Sequence, residues 1–193
     1  MTHNETGELM MATGYSGEAW NTKEFFERAN VADTLRYLQD GADVNARDER
    51  GWTPLHRAAA FSKTPAVLAA LLRNGADPNA RDTDGVTPLH EAALSVTLGV
   101  LTALVQAGAC PNTEDKNGWT PLHAAAARSK TTGVVPTLAQ AGADPRAQDK
   151  NDWTPLHRAA RDENDETPWD HVRMDSPLRG TDVFWRLKDE RRP

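Results

Sequence analysis

The sequence predicts an all-α solenoid of stacked helix-turn-helix units, with β-turn or hairpin loops between units and capping helices at both ends. Two short phrases predict it, because each occurs four times and both keep the same period. The threonines of the Thr-Pro-Leu-His phrase are 34, 33 and 34 residues apart. Repetition at periods of about 20–50 residues is typical of repeat architectures. The first phrase begins at Thr53, Thr87, Thr120 and Thr154, and a Gly-Ala phrase begins at Gly41, Gly75, Gly108 and Gly142.

Local chemistry predicts where the helices of each unit begin and end. Thr supplies an N-cap oxygen and Pro has its φ already set for the first helical position, so a first helix begins at each Thr-Pro-Leu-His phrase. Paired alanines in these helices, such as Ala58 and Ala59, leave room for a neighbouring helix. A second helix follows, whose apolar residues recur at helical spacing, and a glycine in the left-handed conformation ends it. The predicted buried stripes are Val67, Leu68, Leu71 and Leu72 in one repeat, and Val100, Leu101, Leu104 and Val105 in the next.

Four departures from the repeated pattern predict local irregularities. Asp152 stands where the other repeats have Gly, at a turn position that we expect to need a positive φ. Pro136 falls inside an expected second helix, so that helix should begin near Gly133 or be kinked. Cys110 and Arg146 replace a loop aspartate and a loop asparagine, so we expect fewer hydrogen bonds in those two loops.

Composition and charge argue against several classes of partner. The net charge of −6, from 22 basic and 28 acidic residues, gives no basic footprint for a phosphate backbone, so we expect no nucleic acid partner. Apolar runs fall well short of the ~20 residues that cross a bilayer, and the first twenty residues carry no export signal, so we expect no membrane partner. With Cys110 as the only cysteine, neither an internal disulfide nor a thiolate metal cage can form. We therefore expect a cytoplasmic protein, and delivery into another cell stays open.

The two phrases resemble the ankyrin repeat, a ~33-residue unit with a turn and two antiparallel helices. The resemblance covers roughly residues 21 to 175 and implies a non-enzymatic module that presents a rigid concave surface to a protein partner. The segment Gly180–Leu187 also resembles a closing segment of some bacterial ankyrin-repeat proteins, which indicates a small stand-alone protein of bacterial type. The implied parts are a loose tail (1–20), a degenerate capping repeat (21–47), repeats (48–81, 82–114 and 115–148), a partial repeat (149–175), and a capping helix with a tail (176–193).

The resemblance places three sets of residues along one concave face: the turn tips, the residue before each Thr-Pro, and the ends of the first helices. Aromatic and arginine side chains are common anchors of protein interfaces. A tryptophan at these positions could equally pack on the neighbouring turn while half exposed, and we leave both interpretations open. The candidate partner-binding residues are Glu49, Arg50, Trp52, Phe61, Thr83, Asp84, Val86, Leu94, Lys116, Asn117, Trp119, Arg128, Lys150, Asn151, Trp153 and Arg161.

Histidines recur at one position of the repeat, immediately after Leu of the first phrase. Packed helices lie ~8–10 Å apart, whereas two nitrogens that bind one zinc must lie within ~4 Å of each other, so these residues cannot share a metal. The resemblance implies instead that they tie the turns together by hydrogen bonds. The four residues are His56, His90, His123 and His157.

Two alternatives to a concave binding face stay open. The chain could be a structural or inhibitory subunit that binds through its C-terminal segment, residues 176–193. It could instead be a metal-binding or enzymatic protein that uses the acidic loop 162–166, with Asp170 and His171 nearby. That loop lacks the glycine turn and ligand alternation of a calcium-binding EF-hand, so a solvated loop is the simpler interpretation. We predict no catalytic residue, no metal site and no cofactor, and a chain that is monomeric on its own.

Overall fold

The computed structural model describes residues 20–160 apart from 96, 129, 130 and 132. The residues so described form nine α-helices and no β-strand. The helices are α1 (Lys23–Arg28), α2 (Val31–Gln39), α3 (Pro54–Phe61), α4 (Pro65–Arg73), α5 (Pro88–Leu94), α6 (Leu98–Gln106), α7 (Pro121–Arg128), α8 (Val134–Gln140) and α9 (Pro155–Ala160). The predicted second helix of the partial repeat and the predicted capping helix at 176–193 lie outside the described residues.

The helices form two layers, each made of every second helix along the chain. Helices α1, α3, α5, α7 and α9 pack side by side in that order and form the first-helix layer. Helices α2, α4, α6 and α8 form the second-helix layer in the same way. The layers join within each repeat, where α3 packs on α4, α5 on α6 and α7 on α8. This nearest-neighbour stacking confirms the predicted all-α repeat solenoid.

All four Thr-Pro-Leu-His phrases begin a first helix, as predicted. Helices α3, α5, α7 and α9 each start at the proline of the phrase. At α3, Thr53 is the N-cap, and its Oγ1 accepts the backbone N–H of His56 at 3.4 Å. Because the capping residue and the capped N–H are three residues apart, the start of the helix can be predicted from the sequence without knowledge of any tertiary contact.

Small and branched side chains fill the core between the two layers. On the first helices Ala58, Ala59, Ala92, Ala93 and Ala125 are fully buried, as the alanine pairs predict, whereas Ala126 is half-buried. On the second helices, the first three residues of both predicted stripes have no exposed surface. Leu72 and Val105 are only half-buried, because each lies about 100° around the helix from the buried leucine before it.

The predicted irregularities in the repeats are largely confirmed. Helix α8 begins at Val134, with Gly133 at φ +97° as its N-cap, so Pro136 falls in the first turn, where its missing N–H costs no helical bond. Asp152 has a φ of +60°. In the first loop, Asp43 Oδ1 accepts the N–H of Asn45. Cys110 holds the equivalent position in its loop and has no side-chain oxygen to accept such a bond. The prediction for Arg146 concerns hydrogen bonds to the loop of the next repeat, and that loop lies outside the described residues.

The degenerate N-terminal repeat closes one end of the stack. Its two helices are α1 and α2, which are six and nine residues long. Trp20, which the prediction assigned to the loose tail, instead packs on Phe25 and Tyr37, with ring centroids 5.5 Å away in both cases. Its Nε1 donates to the carbonyl of Asp43 at 2.9 Å. The ring thus covers apolar surface of α1 and α2, and Trp20 is part of the packed cap.

Candidate functional site

The turns between repeats are joined into a ladder by backbone hydrogen bonds. The N–H of Thr83 donates to the carbonyl of Arg50 at 2.9 Å, and that of Lys116 donates to the carbonyl of Asp84 at 2.7 Å. A third bond of 3.0 Å joins Lys150 N–H to the carbonyl of Asn117. These bonds hold the turn tips at fixed spacing, and Lys116 Nζ also pairs with Asp84 Oδ1 across two turns at 3.2 Å.

An aspartate stabilises every one of these turns. In the first, Asp48 Oδ1 accepts the N–H of Arg50 at 2.9 Å and that of Trp52 at 2.8 Å. The same pair of bonds recurs in the other three turns. Sequence reasoning missed this role, although the signal is present, since an aspartate stands five residues before each threonine of the Thr-Pro phrase. The aspartates are Asp48, Asp82, Asp115 and Asp149.

Three of the four recurrent histidines link their repeat to the next, as the resemblance implies. His90 Nδ1 accepts the N–H of Thr87 at 3.1 Å, and its Nε2 lies 2.9 Å from the carbonyl oxygen of Trp119 in the following repeat. His56 and His123 make the equivalent bonds to the next turn. Because Nδ1 is an acceptor, Nε2 carries the proton and donates it to the carbonyl. Burial lowers the pKa of all three imidazoles despite the opposing effect of the carbonyl bond, which favours this neutral form.

Trp52 of the first repeat packs within a cluster at its own turn. The ring is half-buried, and the guanidinium of Arg57 lies over it, 4.6 Å from the ring centroid. Arg57 also pairs with Asp48 Oδ2 at 2.6 Å. The indole Nε1 of Trp52 donates to Asp82 Oδ2 of the next turn at 3.0 Å. Although burial raises the pKa of Asp48, the N–H of Trp52 and the Arg57 guanidinium outweigh it and hold that pKa below its usual value.

A similar cluster in the fourth repeat covers two tryptophans with one arginine. The guanidinium of Arg158 lies 4.8 Å from the ring centroid of Trp119 and 4.6 Å from that of Trp153. Its Nε donates to Asp149 Oδ2 at 2.8 Å. The tryptophans therefore pack on neighbouring groups while half-buried, and part of each residue stays at the surface.

The candidate partner-binding residues fall into two groups by solvent exposure. The turn-tip side chains are exposed, as are Arg128 and, at 38%, Leu94. The residues before each Thr-Pro and Phe61 are half-buried. Arg161 lies outside the described residues. The exposed turn-tip set is Glu49, Arg50, Thr83, Asp84, Lys116, Asn117, Lys150 and Asn151.

Sequence reasoning overlooked the position that directly follows each histidine. It is Arg57, Glu91, Ala124 and Arg158 in successive repeats, and so varies while the phrase before it does not. Glu91 is half-buried, and its burial, with the nearby Asp82 carboxylate, raises its pKa to about 7 against a smaller opposing effect of Arg57. The sequence did contain a signal, since this position varies among the four repeats while the Thr-Pro-Leu-His phrase before it is constant.

Within residues 20–160, no three His, Cys, Asp or Glu side chains lie close enough together to hold a metal ion, and no helix has the length and apolar character to cross a membrane. The acidic loop 162–166, Asp170 and His171 lie outside the described residues.

Stacked helix pairs with a hydrogen-bonded ladder of turns define a helical-repeat solenoid protein. A family model for three copies of the ankyrin repeat matches residues 26–115 and residues 94–167. The chain belongs to the ankyrin-repeat family, whose members generally act as protein-interaction modules. Comparison with curated proteins finds no match.

Proposed function

We propose that this protein is a non-enzymatic interaction module that holds a protein partner on one surface, here called the binding face. The binding face comprises the exposed turn tips, the residues before each Thr-Pro, and the outer ends of the first helices. The observation that carries the proposal is the ladder of backbone bonds, which presents turn-tip side chains from four successive turns on one continuous support.

Rigidity is the physical basis of binding in this proposal. Association costs free energy for every side chain or loop that must be ordered, and turns already fixed by Asp, His and ladder bonds avoid much of that cost. A partner that docks across several turns can reach a standard footprint of ~800 Å² per partner.

The chemical character of the binding face also supports the proposal. Half-buried tryptophans with arginines over their rings provide the residue types that anchor interfaces. Leu94 is the large apolar side chain that remains exposed in the described part of the chain, and it lies at the end of α5 in the middle of the stack. A partner that covers Leu94 would remove apolar surface from water.

Further features are proposals that the sequence supports. These are a cytoplasmic location, a monomer in the absence of partner, no nucleic acid or membrane partner, and a family member of bacterial type. Binding through the C-terminal segment 176–193 is the competing proposal, and deletion of that segment distinguishes it from binding through the face.

The test is affinity isolation of partners from the source organism with the tagged full-length chain. The face variant carries Asp84→Arg, Leu94→Glu and Asn117→Glu, all at exposed positions. The matched control carries Arg73→Glu, Gln106→Glu and Gln140→Glu, which are exposed on the second helices. We expect the face variant to lose the partner and the control to keep it, with circular dichroism unchanged in both. Loss by the control alone, or by neither variant, contradicts the proposal.

A further inference from the structure

Two asparagines of this chain stand directly before a glycine, Asn74 before Gly75 and Asn117 before Gly118. An asparagine in such a pair can lose its side-chain amide without an enzyme, because glycine has no Cβ to hinder the approach of its backbone nitrogen. That nitrogen bonds to Cγ of the asparagine, its proton leaves with the amide nitrogen as ammonia, and a cyclic succinimide forms. Water then opens the ring at either carbonyl, which gives aspartate or isoaspartate. The net reaction consumes a water molecule and releases ammonia.

The side chain of Asn117 is not held by a hydrogen bond. The residue is exposed at the tip of the third turn, and its side-chain amide makes no hydrogen bond with any other described residue. Its backbone N–H donates to Asp115 Oδ1 at 2.7 Å, and its carbonyl accepts the N–H of Lys150 at 3.0 Å. Both bonds restrain the main chain and leave the Cγ atom accessible.

Asn74 is restrained in a way that Asn117 is not. It is the C-cap of α4, and its Nδ2 donates to the carbonyl of Ala70 at 2.8 Å. The attacking N–H is hydrogen-bonded in both pairs, at 3.1 Å for Gly75 and 3.0 Å for Gly118, and either bond must open before reaction. Exposed turns open at the low end of the range of local unfolding free energies. The additional side-chain bond of Asn74 therefore predicts that Asn117 reacts faster.

The reactive pair lies where the turn ladder is built. The backbone bonds of the ladder, here called rungs, are accepted by the carbonyls of Arg50, Asp84 and Asn117, and each of these residues is followed by glycine. Arginine has no side-chain carbonyl for the glycine nitrogen to attack. The Asp84 carboxylate, which pairs with Lys116 Nζ at 3.2 Å, is a much poorer electrophile than an amide. Among the three rung acceptors, Asn117 is thus the one whose side chain can cyclise readily.

Formation of isoaspartate at this position changes the rung between the third and fourth turns. In isoaspartate the main chain runs through the former side chain and is longer by one carbon, and the former backbone carbonyl becomes part of a free carboxylate. In the unmodified chain that carbonyl accepts the N–H of Lys150. The product also carries a negative charge where asparagine is neutral, and a change of charge at an interface alters the groups that it attracts.

We propose that Asn117 is a site of spontaneous deamidation, and that its isoaspartate product opens the rung between the third and fourth turns. The modification and the loss of the rung follow from the chemistry of the chain itself. Their effect on a partner rests on the proposed function, because it requires the turn tips to form the binding face. A reacted chain carries a more negative and less restrained third turn within that face.

The test is peptide mapping by mass spectrometry of the full-length folded chain after incubation in mildly alkaline buffer. Mapping measures the loss of amide at Asn74 and at Asn117, and an isoaspartyl methyltransferase labels isoaspartate. Hydrogen exchange of the Lys150 amide, measured by NMR on the isoaspartate form after ion-exchange separation, reports on the rung. The matched variants are Asn117→Gln, which keeps an amide but must close a larger, less favourable ring, and Asn117→Asp, which adds the charge without lengthening the main chain.

We expect Asn117 to lose its amide several times faster than Asn74, and isoaspartate to form at position 117 of the unmodified chain but not of Asn117→Gln. The Lys150 amide should exchange faster in the isoaspartate form than in the unmodified chain or in Asn117→Asp. Amide loss at Asn117 that is no faster than at Asn74, or unchanged exchange at Lys150, overturns the inference. An isoaspartate form that has lost the rung but binds the partner undiminished supports the inference and counts against the proposed function.

Discussion

The Nε2 atom of His90 lies 2.9 Å from the carbonyl oxygen of Trp119, so the first helix of one repeat is bonded directly to the turn of the next. The imidazole is buried, and its Nδ1 accepts the N–H of Thr87 at the start of the same helix. One side chain thus caps its own helix and joins two repeats. The Trp119 turn belongs to the proposed binding face, so the geometry of that surface depends on a residue in the core.

We expect His90→Ala to lower the free energy of unfolding by about 2–4 kcal/mol, since it leaves the buried N–H of Thr87 without its partner, removes one of the two hydrogen bonds to the Trp119 carbonyl and creates a cavity. Urea denaturation followed by circular dichroism measures the change. Gln106→Ala, at an exposed position of α6, is the control and should change stability by less than about 0.5 kcal/mol. A cost below about 1 kcal/mol for His90→Ala would show that the inter-repeat bond matters little to the stack.

Glu91 makes stability depend on pH in a direction opposite to that of a salt-bridged carboxylate. Its pKa is raised from 4.5 to about 7 by burial and by Asp82, with Arg57 opposing. The unfolded chain loses this proton near its ordinary pKa and the folded chain only near 7. The contribution of Glu91 is therefore fully present below about pH 4.5 and is lost as pH rises through about 7.

Because the contribution of Glu91 to stability is lost at high pH, we expect Glu91→Gln to be more stable than the unmodified protein at pH 8 by about 1–3 kcal/mol. Near pH 4.5 we expect no difference in stability. Paired urea titrations from pH 4.5 to 8 measure the difference, in which contributions of the histidines cancel. Asp40→Asn, an exposed carboxylate beside α2, serves as the control and should show no such rise. A difference that stays constant across the range would mean that Glu91 titrates normally.

Asp152 has a φ of +60°, in the left-handed region where a side chain is strained. Replacing it with Gly should raise the free energy of unfolding by about 1 kcal/mol. The reverse type of change, Gly118→Ala, should be clearly destabilising, because Gly118 has a φ of +78° and an added Cβ would lie 2.9 Å from the backbone nitrogen of Lys150. Thermal unfolding of the two variants tests this, and an increase in Tm for Gly118→Ala would contradict the packing seen at the turn.

Much of the fold could be predicted because its determinants are local. A Thr-Pro pair starts a helix through its own hydroxyl and fixed φ, and Gly133 and Pro136 are consistent with the late start of α8. The repeat period and the apolar stripe of each second helix then predict the stacking, since a single helix pair cannot bury its apolar residues alone.

The chemistry of the binding face was harder to predict because it arises between repeats. Arg158 covers Trp119, which precedes it by 39 residues, and Trp52 binds Asp82 of the following turn. No local pattern indicates such pairs, so the arginines were missed and the tryptophans left two interpretations open. Trp20 was misassigned for the same reason, since its partners Phe25 and Tyr37 are brought together only when the first repeat folds.

The most direct test of a binding face on the turn ladder is site-specific photo-crosslinking to the isolated partner. A benzophenone side chain replaces exposed Asp84 or Asn117 on the face, exposed Arg73 or Gln106 on the second helices, or Leu178 in the C-terminal segment. We expect crosslinked partner from positions 84 and 117 and none from 73, 106 or 178. Crosslinks from 73, 106 or 178 with none from 84 and 117 would contradict the account.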